Sequence, residues 1–164
     1  MSRTAKAAHI WEREEHEHYV EPEWCSQRLF DVEKFHGKIW DPACGFGRIC
    51  ESARCAGHEV LASDIVERGY HHADILNFFN QTWKVANIVS NPPFDCFPEF
   101  ASRALILAHE KVAMIWLVRR LNAARWLAET PLARVWLLTP RPCMPPGHTI
   151  TAGRKPGGGT QDFC

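Results

Sequence analysis

The chain has 164 residues, 46% of them apolar, which is enough to bury one core and excludes a second folded domain. Its 19 basic and 19 acidic side chains cancel, so overall charge supplies no long-range attraction to a polyanion or an anionic membrane, and any such binding falls to a local basic patch. Seven cysteines without regular spacing, no apolar leader, and a longest apolar run of only Val112 to Val118 argue for a soluble cytoplasmic protein with reduced thiols and no membrane span.

Residues 1–18 crowd Glu12, Arg13, Glu14, Glu15 and Glu17 together, a charged flexible segment expected to stay solvated. Residues 19–164 are expected to form a single domain. Lys38 to Trp40, Glu59 to Ala62, Asn87 to Val89, Val112 to Val118 and Val135 to Leu138 are short apolar runs that predict strands buried on both faces. A further, poorly marked strand is placed before Asp74. The helices predicted between them are Arg48 to Ala56, closing on Gly57, and Pro98 to His109, with proline in its first turn. A third, Asn122 to Glu129, stops before Thr130-Pro131 because a residue preceding proline avoids the helical region. This alternation predicts an α/β fold, a mostly parallel twisted sheet with helices on both faces. Residues 140–160 gather prolines and glycines with Arg141, Arg154 and Lys155, which predicts a long, mobile, basic loop.

In open α/β sheets, ligands settle beyond the carboxyl ends of strands, where the strand order reverses. The first such end is Trp40-Asp41-Pro42-Ala43-Cys44-Gly45-Phe46-Gly47. Glycines at 45 and 47 clear the turn of side chains, and the helix that follows aims its free amides at the same spot. Asp41 adds a carboxylate suited to an ammonium group. A dinucleotide fingerprint would need glycine or alanine at position 50, where Cys50 stands, and an acidic residue beside the turn suits pyrophosphate poorly, so NAD is not expected. Asp64 closes the second strand about twenty residues beyond the turn, where a carboxylate can accept both hydroxyls of a ribose.

This stretch resembles the Asp-Pro-Ala-Cys-Gly-x-Gly motif of S-adenosylmethionine-dependent methyltransferases. The resemblance implies their Rossmann-like class I fold, S-adenosylmethionine as cofactor, Asp41 at the methionine amino group and Asp64 at the ribose. In that family a later acidic residue holds the adenine amine, and Asp74 stands where it is expected; read alone, Asp74 is equally a helix N-cap. The resemblance also implies cofactor contacts from Pro42, Ala43, Cys44, Gly45, Gly47, Ile65 and Ile75. Tyr19 belongs to Tyr19-Val20-Glu21-Pro22-Glu23-Trp24, which looks like the segment that closes over the cofactor, and which alone also fits a hydrophobic staple.

Ser90-Asn91-Pro92-Pro93-Phe94 follows the fourth strand, at the same sheet edge as the glycine turn. An exocyclic amine such as adenine N6 is a weak nucleophile because its lone pair is delocalised into the ring, so it needs acceptors more than a base. The Asn91 side-chain oxygen, which would also border the cofactor, and the Pro92 carbonyl can each accept one N–H and turn the lone pair toward a sulfonium methyl. Pro92 and Pro93 fix the backbone, and Phe94 would stack on the ring. The run resembles the (Asp/Asn/Ser)-Pro-Pro-(Tyr/Phe/Trp) motif of amino-methyltransferases, in the order found in adenine-N6 DNA methyltransferases. That implies methyl transfer to an exocyclic amino nitrogen, with adenine N6 in DNA as the favoured acceptor. The same form occurs in RNA and protein-glutamine methyltransferases, and a catalytically idle cofactor-fold binding module is the reading of a different class. Asn91-Pro92-Pro93 alone would be an ordinary turn.

Reaching N6 in a duplex requires the base to leave the stack. Arg119, Arg120, Arg125, Arg141, Arg154 and Lys155 are the candidate phosphate contacts, with solvated surface charge as the plain alternative. Sequence-specific adenine methyltransferases of this order mostly carry a target-recognition domain that has no counterpart here, so sequence specificity is either lacking or supplied by a partner subunit. The last, antiparallel strand of the family would begin at Thr160 to Cys164, cut short or only partly formed. Cys44, Cys50, Cys55 and the histidine pairs His16/His18 and His71/His72 lack zinc spacings, so no metal is expected. Cys44 is expected behind the glycine turn, and Cys50 and Cys55 on a buried helix face.

Overall fold

The computed structural model describes residues 18–153 and 161–164; the acidic N-terminal cluster, Arg154 and Lys155 lie outside them. In chain order the elements are α1 (Glu23–Val32), β1 (Ile39–Asp41), α2 (Arg48–Cys55), β2 (Val60–Asp64), β3 (Ala73–Ile75), β4 (Val85–Ser90), α3 (Phe97–Leu107), β5 (Ala108–Met114), α4 (Val118–Leu121) and α5 (Gly147–Thr151). The five strands are all parallel, in the order β3-β2-β1-β4-β5. The chain builds outward from β1 in one direction and resumes beside it with β4 in the other. The order therefore reverses between β1 and β4, and a crevice opens beyond their carboxyl ends. No helix among the described residues is long and apolar enough to cross a membrane.

The two central strands explain why the sequence reads as it does. Ile39 and Val89 pack with Phe35, Ile49 and Ala53 on the side of α1 and α2, while Trp40 and Ile88 pack with Phe78, Phe100, Ala104 and Leu107 on the side of α3. Successive side chains of a strand point to opposite faces, and all four strand residues are 2% exposed or less. Two-sided burial thus selects apolar residues at consecutive positions, each contributing roughly 1.5–3 kcal/mol when fully buried. A third cluster, which includes Cys25, Phe94, Phe97, Trp116, Met144 and Phe163, closes the edge beyond β5. Helix α1 is absent from the sequence reading, although Pro22 at its N-cap, Glu23 in its first turn and the buried Cys25 and Ser26 mark it.

Several predicted elements are corrected. Val135 to Leu138 forms no strand, and Val135, Trp136 and Leu137 are 45%, 46% and 64% exposed. Residues that favour strands form one only where a neighbour offers a ladder, and here the chain after β5 pairs with the C-terminal residues instead. Trp116 and Cys164 exchange both backbone hydrogen bonds, at 2.8 and 2.9 Å, and Leu117 bridges Phe163 in antiparallel sense. Asn122 to Glu129 yields only a 3₁₀ turn at Arg125–Glu129. β5 starts at Ala108, where α3 has already ended, and stops at Met114, so that Val118 opens α4. Cys55, expected to be buried, is exposed.

The described part of the proline-rich stretch is held in place rather than loose. Pro142, Pro145, Pro146 and Thr149 are buried, with Met144 beside them. The Val20 N–H donates to the Pro145 carbonyl and the Gly147 N–H to the His18 carbonyl, both at 2.9 Å, and Tyr19 bridges Pro146 in antiparallel sense. Proline has lost its donor but keeps its acceptor, so the strap accepts at Pro145 and donates from Gly147, just past Pro146.

Residues 131–138 are fastened through Glu33, whose carboxylate accepts from Arg134, from Lys111 Nζ at 2.9 Å and from Trp136 Nε1 at 3.1 Å. The Arg134 guanidinium first, then the Lys111 ammonium, hold this carboxyl down at about 2 from an ordinary 4.5. A depressed carboxyl stabilises the fold above its unfolded value, and the contribution is lost as pH falls through the folded one. Glu33→Gln is therefore expected to lower the melting temperature at pH 7, by a solvent-screened contribution of no more than about 1 kcal/mol. Thermal unfolding of both proteins on acidification should show the gap closing between pH 4.5 and pH 2.

Candidate active site

A cleft of about 620 Å³ lies beyond the carboxyl ends of β1, β2 and β4, within the usual range of about 300–1,000 Å³ for ligand pockets. Asp41, Pro42, Ala43, Cys44 and Gly45 line it from the turn after β1, Asp64 and Ile65 from the end of β2, and Asn91 and Pro93 from the turn after β4. His18 to Glu21 form one wall, and Leu76 to Phe79 another.

The glycine turn is built by close approach. Gly45, at φ +53°, donates its N–H to Asp64 Oδ2 at 2.9 Å, and a Cβ on it would lie 2.4 Å from His18 Nε2. Gly47, at φ +79°, caps α2, and a Cβ there would lie 2.4 Å from the Tyr70 ring. Tyr70 is held against Gly47 by donating to Glu51 Oε1 at 2.5 Å and accepting from Arg54. Both positions therefore require glycine on two counts, the left-handed backbone and the missing side chain.

Three buried carboxylates, Asp41, Glu21 and Asp64, face this cleft, with the exposed Asp95 at its lining as well. Asp41, 1% exposed, accepts from Ser90 Oγ at 2.7 Å across the β1/β4 crevice and from the Ala43 N–H at 3.2 Å. Burial pushes its carboxyl well above the usual range, and the negative charges of Glu21 and Asp64 add to that against the Ser90 hydrogen bond. Glu21, 6% exposed, is also raised by burial, opposed by its bonds and by the charge of Arg48. Asp64 uses Oδ2 on Gly45 and Oδ1 on the Val66 N–H at 3.3 Å and Arg68 Nε at 3.4 Å. Three of its roughly four lone-pair positions are thus taken, so Asp64 holds the glycine turn as well as bordering the cleft.

Asn91 stands where β4 ends. Its Nδ2 donates to the Tyr19 carbonyl and to Glu21 Oε2, both at 2.8 Å. Its Oδ1 is buried and has no partner, and among the described residues it is the only such atom on a cleft-lining side chain. Phe94, 9% exposed, lies in the edge cluster and does not line the cleft. Tyr19 lies parallel to it, ring centroids 6.4 Å apart and planes 5° apart, and does line the cleft. Pro92 is buried behind the turn. Gly47, Asp74 and Ile75 lie outside the lining; Asp74 is exposed and Ile75 is 61% exposed, and the chain reaches the cleft only from Leu76 onward.

Of the basic residues, Arg119 and Arg125 are exposed. Arg120 donates to the Phe94 carbonyl at 2.9 Å, holding the Asn91 to Phe94 turn, and Arg141 pairs with Asp162 at 2.7 Å. Among the described residues, no group of three or more His, Cys, Asp or Glu could hold a metal ion. Sequence reasoning missed Glu21, Arg48, Ser90, Asn77 and Phe79. Glu21 lies within the Tyr19 to Trp24 segment, and its chemistry shows only once Asn91 is seen beside it.

No family model matches the chain, and no curated protein matches it in sequence. Solved structures do superpose on it. Magnesium protoporphyrin IX methyltransferase from Synechocystis PCC 6803, with bound S-adenosylmethionine, is 16% identical over 73% of this chain and 74% of its own, at a TM-score of 0.57. The ribosomal protein L11 methylase of Lactobacillus delbrueckii subsp. bulgaricus is 14% identical over 86% of this chain and 73% of its own, at 0.56. The chain spans 62% of the length of a Pyrococcus horikoshii protein that it matches at a TM-score of 0.49. At such identities the likeness is one of fold, a Rossmann-like α/β fold with a parallel sheet that this chain shares with these two methyltransferases.

Proposed function

We propose that this chain moves the methyl group of S-adenosylmethionine to an exocyclic amino nitrogen, adenine N6 in DNA being the acceptor. The observation that carries the reading is Asn91 Oδ1, an acceptor buried without a partner on a side chain of the cleft. Leaving such an atom unpaired costs about 1–3 kcal/mol, and an incoming amine N–H would recover that.

The cleft fits the cofactor by its chemistry. Asp41 and Asp64 are two buried carboxylates whose charges oppose one another, and a ligand carrying an ammonium and a sulfonium relieves both burial and repulsion. Ile65 and Phe79, 47% and 43% exposed at the cleft, offer apolar surface for its adenine. When bound, the cofactor supplies a methyl group already activated by the sulfonium.

The protein's part is positioning. Asn91 Oδ1 takes an amine N–H, which localises the nitrogen lone pair and directs it along the line of displacement, while Pro92, expected as the second acceptor, lies outside the cleft lining. Tyr19 supplies the ring surface for a planar base, since Phe94 lies behind it. No residue forms a covalent bond to the methyl group. Arg119 and Arg125 meet phosphates flanking the extruded base, and a partner subunit supplies recognition of the surrounding sequence.

Labelled-methyl transfer from S-adenosylmethionine to DNA, RNA and protein pools tests this. Label is expected in DNA, at N6 after digestion to nucleosides. Label confined to RNA or to protein glutamine would move the acceptor there. No label, together with no cofactor heat in calorimetry, would leave a binding module.

A further inference from the structure

Asn91 can serve as an acceptor only if its amide is held one way round. Both N–H bonds of Nδ2 are committed, one to the Tyr19 carbonyl and one to Glu21 Oε2, each at 2.8 Å. Turning the amide over would set its oxygen against those same two acceptors, so a single orientation survives, and it leaves Oδ1 as the end without a partner. The clamp itself is fixed. The Glu21 backbone carbonyl accepts from Arg48 Nη1 at 2.7 Å, tying it to α2, and the Val20 N–H is bonded to Pro145 in the strap. Glu21 is 6% exposed, so water does not compete for its contact with Asn91.

We propose that Glu21 is a positioning residue: with the Tyr19 carbonyl it locks the Asn91 amide so that Oδ1 faces the reacting amine. This rests on the reading of Asn91 given above. It also supplies a reason for an amide at position 91. Asn91→Asp is isosteric, yet it would set a carboxylate oxygen against both the Tyr19 carbonyl and the Glu21 carboxylate, where a donor now stands.

The test is a cycle of Glu21→Gln, Asn91→Asp and the double variant, with Glu21→Leu added. Single-turnover rate and cofactor dissociation constant are measured for each, with melting temperature read alongside to set aside any variant that does not fold. Glu21→Gln keeps an acceptor oxygen in place and is expected to stay within about threefold of wild type, while Glu21→Leu loses about 10- to 100-fold in rate with cofactor affinity nearly unchanged. Asn91→Asp is expected to lose about 100-fold or more. Adding Glu21→Gln to it should recover about tenfold, because the glutamine amide can turn an N–H toward the new carboxylate. A double variant no faster than Asn91→Asp overturns the proposal, as does a Glu21→Gln whose loss lies in cofactor affinity instead of rate, which would make Glu21 a counter-ion. Transfer by the wild type with an uncoupled cycle sinks the positioning role alone; absence of transfer by the wild type sinks the parent reading and this role with it.

Discussion

Asn91→Ala is expected to slow methyl transfer by about 10²–10³-fold while leaving affinity for S-adenosylmethionine within a few-fold of wild type. The substitution removes the buried acceptor that, among the described residues, is alone in lacking a partner on a cleft-lining side chain, so the incoming amine meets a methyl group where it needs an oxygen. A ground-state cofactor held by Asp41 and the glycine turn feels little of that change. The same substitution takes the hydrogen bond from Glu21 Oε2 and from the Tyr19 carbonyl, and stranding buried acceptors costs about 1–3 kcal/mol each. A drop in melting temperature should accompany the kinetic loss, so rates are best compared in single turnover at saturating cofactor, well below the transition. Equal rates for Asn91→Ala and wild type would end the assignment.

How much of this was legible beforehand depended on whether a residue's role is set by its own turn or by what packs on it. Asp41, Gly45 and Asn91 were legible because a strand end followed by a glycine or proline turn dictates local geometry, and two such turns in register on a parallel sheet must face one crevice. Phe94 was misjudged because its identity says only that a ring is present. Whether that ring meets a ligand or the core is decided by Tyr19, 72 to 75 residues earlier in the chain than the Asn91 to Phe94 turn, lying over it. Asp74 and Ile75 fell outside the cleft because β3 ends a residue too early for its side chains to reach it, and Leu76 to Phe79 do so instead. Val135 to Leu138 had the composition of a strand and lost the competition for the chain beyond β5 to Phe163 and Cys164, a contest no local pattern records. Pro142, Pro145 and Pro146 of the 140–160 loop are buried for a similar reason, since the Pro145 carbonyl meets the Val20 N–H from far along the chain.

The second large effect expected is on cofactor binding, and it is a pH effect whose sign follows from Asp41. Burial holds the Asp41 carboxyl well above its ordinary value, with the charges of Glu21 and Asp64 adding to the shift, so the free protein keeps this proton to higher pH than an exposed aspartate would. An ammonium ligand prefers the ionised form. Cofactor affinity is therefore expected to fall by up to about tenfold per pH unit as pH drops through the raised Asp41 value, because binding must expel a proton there. Asp41→Asn should bind weakly at every pH and with a flatter profile, which separates Asp41 from Glu21, whose carboxyl is raised as well. Stability carries the matching signature. A carboxyl raised in the folded state makes the free protein less stable as pH climbs from the unfolded value through the folded one, opposite in sign to the Glu33 contribution, whose value is lowered. A bound cation offsets that loss, so the rise in melting temperature on adding S-adenosylmethionine should grow with pH over the same interval. Calorimetry in buffers of different ionisation enthalpy reads the proton directly; binding that releases none, or that tightens on acidification, would remove Asp41 from contact with the ammonium group.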